Sequence, residues 1–258
     1  MRTPRAFCIV QRNAVALRRH WRGAVIWSFL QPSLYLATMG LGVGALVDRG
    51  GSPLPGGVSY LAFLGPGLLA SSCMQTGSFE AGFPVLGRMR WQRTYEAIAG
   101  TPLRVRDIVY GECLWVMVRL SVVAAGFSAV LAVCGVVTTP LFALAAPAAV
   151  LTGAAFCTPV MAYAASLRNG VNLGALIRFV ITPLFLFSGT FFPVSRLPRL
   201  LQQVAAATPL YHGVELTRGL ALQTLTWPAA LVHVAYLATL TLVGLLAAIR
   251  VFEAKLRA

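Results

Sequence analysis

Lysine is almost missing from this chain: the only one is Lys255, in Glu253-Ala254-Lys255-Leu256-Arg257. A phosphate-cradling GxxxxGK[ST] loop needs a lysine behind its glycines, so the chain cannot hydrolyse ATP by that route. Acids are scarce too, seven Asp and Glu against 21 Lys and Arg. They form no DDxxD-like cluster that could hold magnesium for prenyl chemistry. HExxH and GxSxG are both absent. The three histidines, His20, His212 and His233, lie far apart along the chain, so no multi-histidine metal site is expected. Five cysteines (Cys8, Cys73, Cys113, Cys134 and Cys157) contain no CxxC, which supports neither a zinc site nor a disulfide framework. They read as free thiols serving as small hydrophobes. With no catalytic residue or metal ligand to assign, a membrane enzyme is the weakest functional class.

What the chain has is apolar surface. Of its 258 residues 58% are hydrophobic and 11% charged, and the mean hydropathy is +0.76. No water-soluble core of this length needs so much, so the chain reads as an integral membrane protein. The first apolar run begins near Ala24 behind six arginines and shows no small-residue cleavage site, which predicts a retained span. The formal net charge of +14 could suggest nucleic acid. The arginines cluster between apolar runs, however, where positive-inside topology puts them, and anionic lipid headgroups are the better counter-charge.

Six runs are long enough to cross about 30 Å of hydrocarbon. They cover approximately Ala24–Val47, Val58–Phe79, Ile108–Val136, Leu141–Leu167, Gly174–Phe192 and Ala229–Ile249. A tight hairpin around Thr138-Thr139-Pro140 joins the third and fourth. Sixteen of the 21 basic residues then fall on the side that carries both termini, which is therefore cytoplasmic. Ahead of the first span, residues 2–22 place Phe7, Val10, Ala14, Leu17 and Trp21 on one stripe and Arg5, Arg12 and Arg19 on another. This pattern suits an amphipathic helix lying in the membrane interface. Gly40 and Gly44 have the GxxxG spacing that permits close helix approach.

The stretch from Phe83 to Asp107 holds five arginines between two spans. Its centre, Arg93 to Ala99, can form a short helix stopped by Gly100 and Pro102. Such a helix at the cytoplasmic surface is placed to receive force from a soluble partner, with Ile98 entering a groove and Glu96 pairing at its rim. A solvated basic turn is the alternative.

A few polar groups remain at membrane depth. Arg119 lies near the middle of the third span and must face protein or water. Glu112, seven residues earlier, is on the same helix face and could bridge to it, either as a structural ion pair or on a transport path. His212, Glu215 and Arg218, spaced by three, share a face after Thr208-Pro209-Leu210-Tyr211 and could line an outer exit. The surrounding segment, 193–227, has a proline break between two semi-apolar helices, as in a re-entrant hairpin or a pair resting on the outer leaflet. Arg178 can snorkel and is given no function.

On several stretches the chain resembles the membrane subunit of a type-2 ATP-binding-cassette exporter, in the branch of nodulation protein J and related drug-export permeases. The first group is Gly87-Arg88-Met89, Gln92-Arg93-Thr94-Tyr95-Glu96-Ala97, Thr101-Pro102-Leu103 and Asp107-Ile108-Val109-Tyr110-Gly111-Glu112. The second is Phe187-Ser188-Gly189-Thr190-Phe191-Phe192-Pro193-Val194 with Thr208-Pro209-Leu210-Tyr211-His212-Gly213-Val214-Glu215. The resemblance implies an all-α membrane protein, residues 1–258 forming one transmembrane domain. It would have six transmembrane helices, an interfacial elbow helix at 6–22, a coupling helix at 93–100 and a re-entrant helical hairpin within 193–227. Coupling would fall to Arg93, Thr94, Tyr95, Glu96, Ala97 and Ile98. The substrate path would involve Glu112, Arg119, Tyr211, His212, Glu215 and Arg218. The implied location is a bacterial inner membrane and the implied partners are a second permease copy, membrane lipids and a separate ATPase subunit. ATP and magnesium would sit on that subunit, with no cofactor in this chain. Lipid-linked saccharides and hydrophobic drugs both suit the branch. The competing class, a secondary transporter or channel without an ATPase, is disfavoured because the spans carry few acids for a proton or sodium relay and show no paired interruptions.

Overall fold

The structure, a computed structural model, describes residues 5–18, 30, 33–44, 58–136 and 139–256. Among these residues every regular element is helical. In chain order they are α1 (Arg5–Arg18), a π-helical α2 (Leu36–Val43), α3 (Tyr60–Arg90), α4 (Thr94–Ala99) and α5 (Val105–Val133). A 3-10 turn, Pro140–Leu144, leads into α6 (Ala145–Ser166). Then come α7 (Val171–Leu176), a π-turn over Ile177–Ile181, and α8 (Thr182–Phe187). After a second 3-10 turn, Val194–Arg196, follow α9 (Arg199–Ala206), α10 (Pro209–Leu222) and α11 (Trp227–Leu256).

Three of the six expected spans stand as helices long and apolar enough to cross a membrane: Val105–Val133, Pro140–Ser166 and Trp227–Leu256. The expected fifth is a shorter apolar stretch, Val171–Phe187. The expected second lies inside α3, a helix of 31 residues that continues well past Phe79 to Arg90. Both ends of the expected first span (24–29 and 45–47), and the Thr138 side of the expected hairpin, lie outside the described residues.

α6 is the centre of the bundle, with its largest contacts on α3 and α11. It can approach α3 closely because two glycines cross. A Cβ on Gly77 would stand 2.5 Å from the Gly153 carbonyl oxygen, and one on Gly153 would stand 2.8 Å from that of Cys73. On the other side, Thr158 Oγ1 donates to Thr241 O of α11 at 3.0 Å. Small residues therefore bring backbones together where lipid provides no hydrophobic drive between helices. The Gly40–Gly44 spacing works in the same way but within the chain, since the two glycines face Leu61 and Tyr60 at the start of α3.

α1 lies against α5. Its inward residues are Ile9, Val10 and Asn13, whereas Phe7 and Val15 are exposed. The contact face is thus rotated from the expected Phe7–Val10–Ala14–Leu17 stripe, and a polar Asn13 sits in its middle. Trp21 lies outside the described residues.

Candidate functional site

Basic residues from distant parts of the sequence gather at one end of the bundle, around a single acid. Glu112, in the second turn of α5, is 1% exposed. Its Oε1 accepts from Arg12 Nη2 of α1 at 2.8 Å, and its Oε2 accepts from Arg88 Nη1 of α3 at 2.6 Å. Asn13 Nδ2 donates to the same Oε2 at 3.0 Å, while its Oδ1 accepts from Arg12 Nη2 at 2.9 Å. A carboxylate taken out of water is costly unless its lone pairs are filled, and here three donors fill them. The two arginine side chains stay partly exposed, 31% and 20%. One acid thereby ties α1, α3 and α5 together.

The short helix α4 is fixed to the same hub. Trp91 ends α3, and Arg93 turns the corner in the left-handed region at φ 48°. Tyr95 then points inward and is fully buried, its ring 5.4 Å from that of Phe252 in α11 and its hydroxyl beside Arg88 and Glu112. Burial, and then the negative charge of Glu112, push this phenol well above its ordinary range, so it stays protonated. Glu96 and Ala97 face outward, as do Trp91 and Arg93, whereas Ile98 is half-buried and packed on the core. Thr94 is half-buried at the start of the helix. Of the six residues expected to couple, Tyr95 and Ile98 hold the helix to the bundle, and Glu96 and Ala97 form its free surface. The helix itself runs Thr94–Ala99, shorter by one residue at each end than the expected 93–100.

Arg119 and Glu112 do not pair with each other. Arg119 donates from Nη2 and Nε to Glu80 Oε1 of α3, at 2.9 and 3.1 Å. The shared helix face was legible, but the nearer carboxylate for each arginine comes from another helix, which heptad spacing within α5 does not reveal. Glu80, Arg12 and Asn13 escape the sequence reading for this reason: Glu80 falls just past the expected second span and Asn13 beside, not on, the expected apolar stripe of α1.

At the other end, the two motifs of the second group meet. Arg218 of α10 is turned inward and 7% exposed. Its Nε donates to Phe63 O of α3 at 3.1 Å, and its Nη2 donates to Gly189 O at 2.8 Å and Thr190 O at 3.3 Å. Its guanidinium also lies 3.7 Å from the centre of the Phe63 ring. Gly189 needs to be glycine for its φ of 83°. Ser71 and Thr190 share a hydroxyl contact at 2.9 Å, and Thr217 Oγ1 donates to Pro66 O at 2.9 Å. The segment after α8 is thus clamped to α3 and α10 through polar bonds. Within 193–227, α10 is largely buried, but α9 exposes Leu200, Leu201 and Val204.

Glu215 remains half-exposed, 3.6 Å from Arg218 Nη1. His212 turns instead toward α11, its Nδ1 2.8 Å from Nδ1 of His233, and its ring stacks on Tyr236 at 4.0 Å. Tyr211 meets both imidazoles edge-on. Two of the histidines that are far apart in sequence are therefore neighbours. Among the described residues no group of three or more His, Cys, Asp or Glu side chains could hold a metal.

Comparison with known proteins places the chain in a family. The family model for the ABC-2 type transporter matches residues 5–222, which take in both the Glu112 hub and the Arg218 clamp. Nodulation protein J of Rhizobium leguminosarum bv. trifolii is 36% identical over 208 residues, covering 81% of this chain and 78% of that protein. Its counterpart in Rhizobium meliloti is 34% identical over the same shares. That of Bradyrhizobium diazoefficiens is 30% identical over 246 residues, covering 95% and 92%. The family-model match over residues 5–222, with relatives 30–36% identical over most of the chain, makes this protein a member of the ABC-2 type transporter membrane family, in the branch of nodulation protein J.

Proposed function

We infer that this chain is the permease of an ATP-driven exporter. It works with a separate cytoplasmic ATPase and moves a lipid-linked saccharide or a hydrophobic drug-like molecule out of a bacterial inner membrane. The observation that carries this reading is α4. Its inner side is locked by Tyr95, while Glu96 and Ala97 are free for a partner. A push on α4 would reach Phe252 of α11 through the Tyr95 ring, and α1, α3 and α5 through Arg88 and Glu112. ATP and magnesium would stay on the partner, and a second permease copy would complete the path. In this reading α1 is the interfacial elbow, the chain makes six crossings with both termini cytoplasmic, and 193–227 forms the outer re-entrant pair.

The test is association with a candidate ABC ATPase subunit co-expressed with this chain. Glu96→Lys should leave insertion intact but reduce pull-down of the ATPase about tenfold or more, because a reversed charge at a rim meets its former partner with repulsion. Export should fall with it, while the ATPase keeps its own hydrolysis. Wild-type pull-down together with wild-type export would remove α4 as the coupling element.

A further inference from the structure

Three sulfur atoms that are far apart in the sequence meet between α5 and α6. Cys113 follows Glu112 of the hub on α5. Cys157 and Met161, four residues apart, lie one above the other on a single face of α6. Cys113 Sγ stands 3.9 Å from Met161 Sδ, and the thiols of Cys113 and Cys157 are in hydrogen-bond contact. Cys157 and Met161 are fully buried, whereas Cys113 is only half-buried. Two thiols and a thioether thus share one small volume with a single open edge. The cluster lies toward the basic end of the bundle. Cys113 is about 12 Å along α5 from Val105, and Met161 is about 8 Å from the Ser166 end of α6.

The donor set is soft. Thiolate and thioether ligands select Cu(I) over ions that prefer oxygen, and magnesium and calcium have no carboxylate or carbonyl set here. A tetrahedral zinc site needs four ligands, and among the described residues no three His, Cys, Asp or Glu side chains gather to supply them. Trigonal coordination needs only what is present. Three sulfurs bound at about 2.3 Å in one plane stand about 4.0 Å from each other. The Cys113–Met161 separation already has that length, so the helices need not move apart to admit the ion.

We propose that Cys113, Cys157 and Met161 form a binding site for a soft monovalent metal ion, Cu(I), for which Ag(I) is the redox-inert analogue. On binding, the two thiols lose their protons to water and form two metal–thiolate bonds, and Met161 adds a dative bond through its sulfur. The metal enters and stays as a monovalent ion, so no oxidant or reductant takes part. The half-buried Cys113 is the entry point, since it can take the ion from a carrier before the buried pair closes on it. The bound ion ties α5 to α6 at the end of the bundle where Glu112 already ties α5 to α1 and α3. This site is independent of the exporter reading, because no ATPase or cargo enters it.

The test uses the full chain, purified in detergent without oxygen, with the exposed Cys8 and Cys134 replaced by serine. Cu(I) is titrated against the coloured chelator bicinchoninate. About one Cu(I) should bind per chain, and Cys113→Ser and Cys157→Ser should each weaken binding at least ~10-fold. Met161→Leu conserves side-chain volume, so it should keep the melting temperature of the metal-free protein while weakening Cu(I) at least ~10-fold. X-ray absorption should count three sulfurs around copper in the parent and two in Met161→Leu. Ag(I) should raise the melting temperature of the parent but not that of Cys113→Ser. Copper affinity unchanged in Cys113→Ser would overturn the site, and so would a sulfur count unchanged in Met161→Leu. If Cys157→Ser fails to fold, the other two variants decide. A disulfide between Cys113 and Cys157 that forms in air equally fast with and without bound Ag(I) would also overturn it, because a metal held by both thiols blocks their oxidation.

Discussion

Glu112 shows how much one side chain can decide. Three donors from two other helices converge on it, so its removal strands two guanidiniums rather than one bond. Glu112→Gln should destabilise the protein by about 2 kcal/mol, below the ~3–5 kcal/mol of a fully buried pair because both arginine side chains stay partly exposed. A fall of several degrees in the melting temperature of the detergent-purified protein is the expected result, and an unchanged melting temperature would show that the hub carries no stability. Arg119 is a different case. Arg119→Leu leaves Glu80 unpaired at depth, so both folding yield and export should drop. The double change Arg119→Leu with Glu80→Gln should recover the yield but not export. Recovery of export as well would assign the pair a purely structural role.

At the scale of single elements, α4 divides a packed inner side from an exposed outer one. Ile98 is packed on the core, whereas Ala97, one position earlier and about 100° round the helix, is exposed. Ile98→Asp buries a charge and should lower protein yield as well as ATPase binding. Ala97→Asp should leave yield unchanged and weaken binding only. Comparing the two by size-exclusion fluorescence and by pull-down from the same membranes separates the roles. Equal loss of yield in both would mean that α4 has no free docking face. The Arg218 clamp belongs to the same scale. It joins α10 to α3 and to the turn after α8 by bonds to backbone carbonyls, so lysine in its place, with one nitrogen for three acceptors, would lose most of them.

For the whole molecule, the asymmetry of charge is the organising feature. Arg12, Arg88, Arg90 and Arg106 all engage partners at the end of the bundle where Glu112, Leu167 and Glu253 lie, and Arg218 engages its own at the other. If the first end is cytoplasmic, single cysteines at 50–56 and at 196–200 should label from outside only. Labelling of either segment exclusively from the cytoplasmic side would invert the map.

Residue types and their order were enough for part of this. An apolar fraction too high for a soluble core and arginines confined between apolar runs determined a helical membrane protein with one basic end. The Gly100 and Pro102 stops marked α4 before any geometry was known. Motif identity determined the family. What the order of residues could not decide was partnership across helices. Heptad spacing set Glu112 and Arg119 on one face of α5, but their counter-charges came from α1 and α3, at separations of 100 and 24 residues for Glu112 and 39 for Arg119. His212 and His233 met for the same reason, across two helices. The inward turn of Arg218 and the sulfur cluster between α5 and α6 also needed the tertiary structure. Periodicity tells which residues share a face, whereas only packing decides whether that face looks at protein, lipid or water.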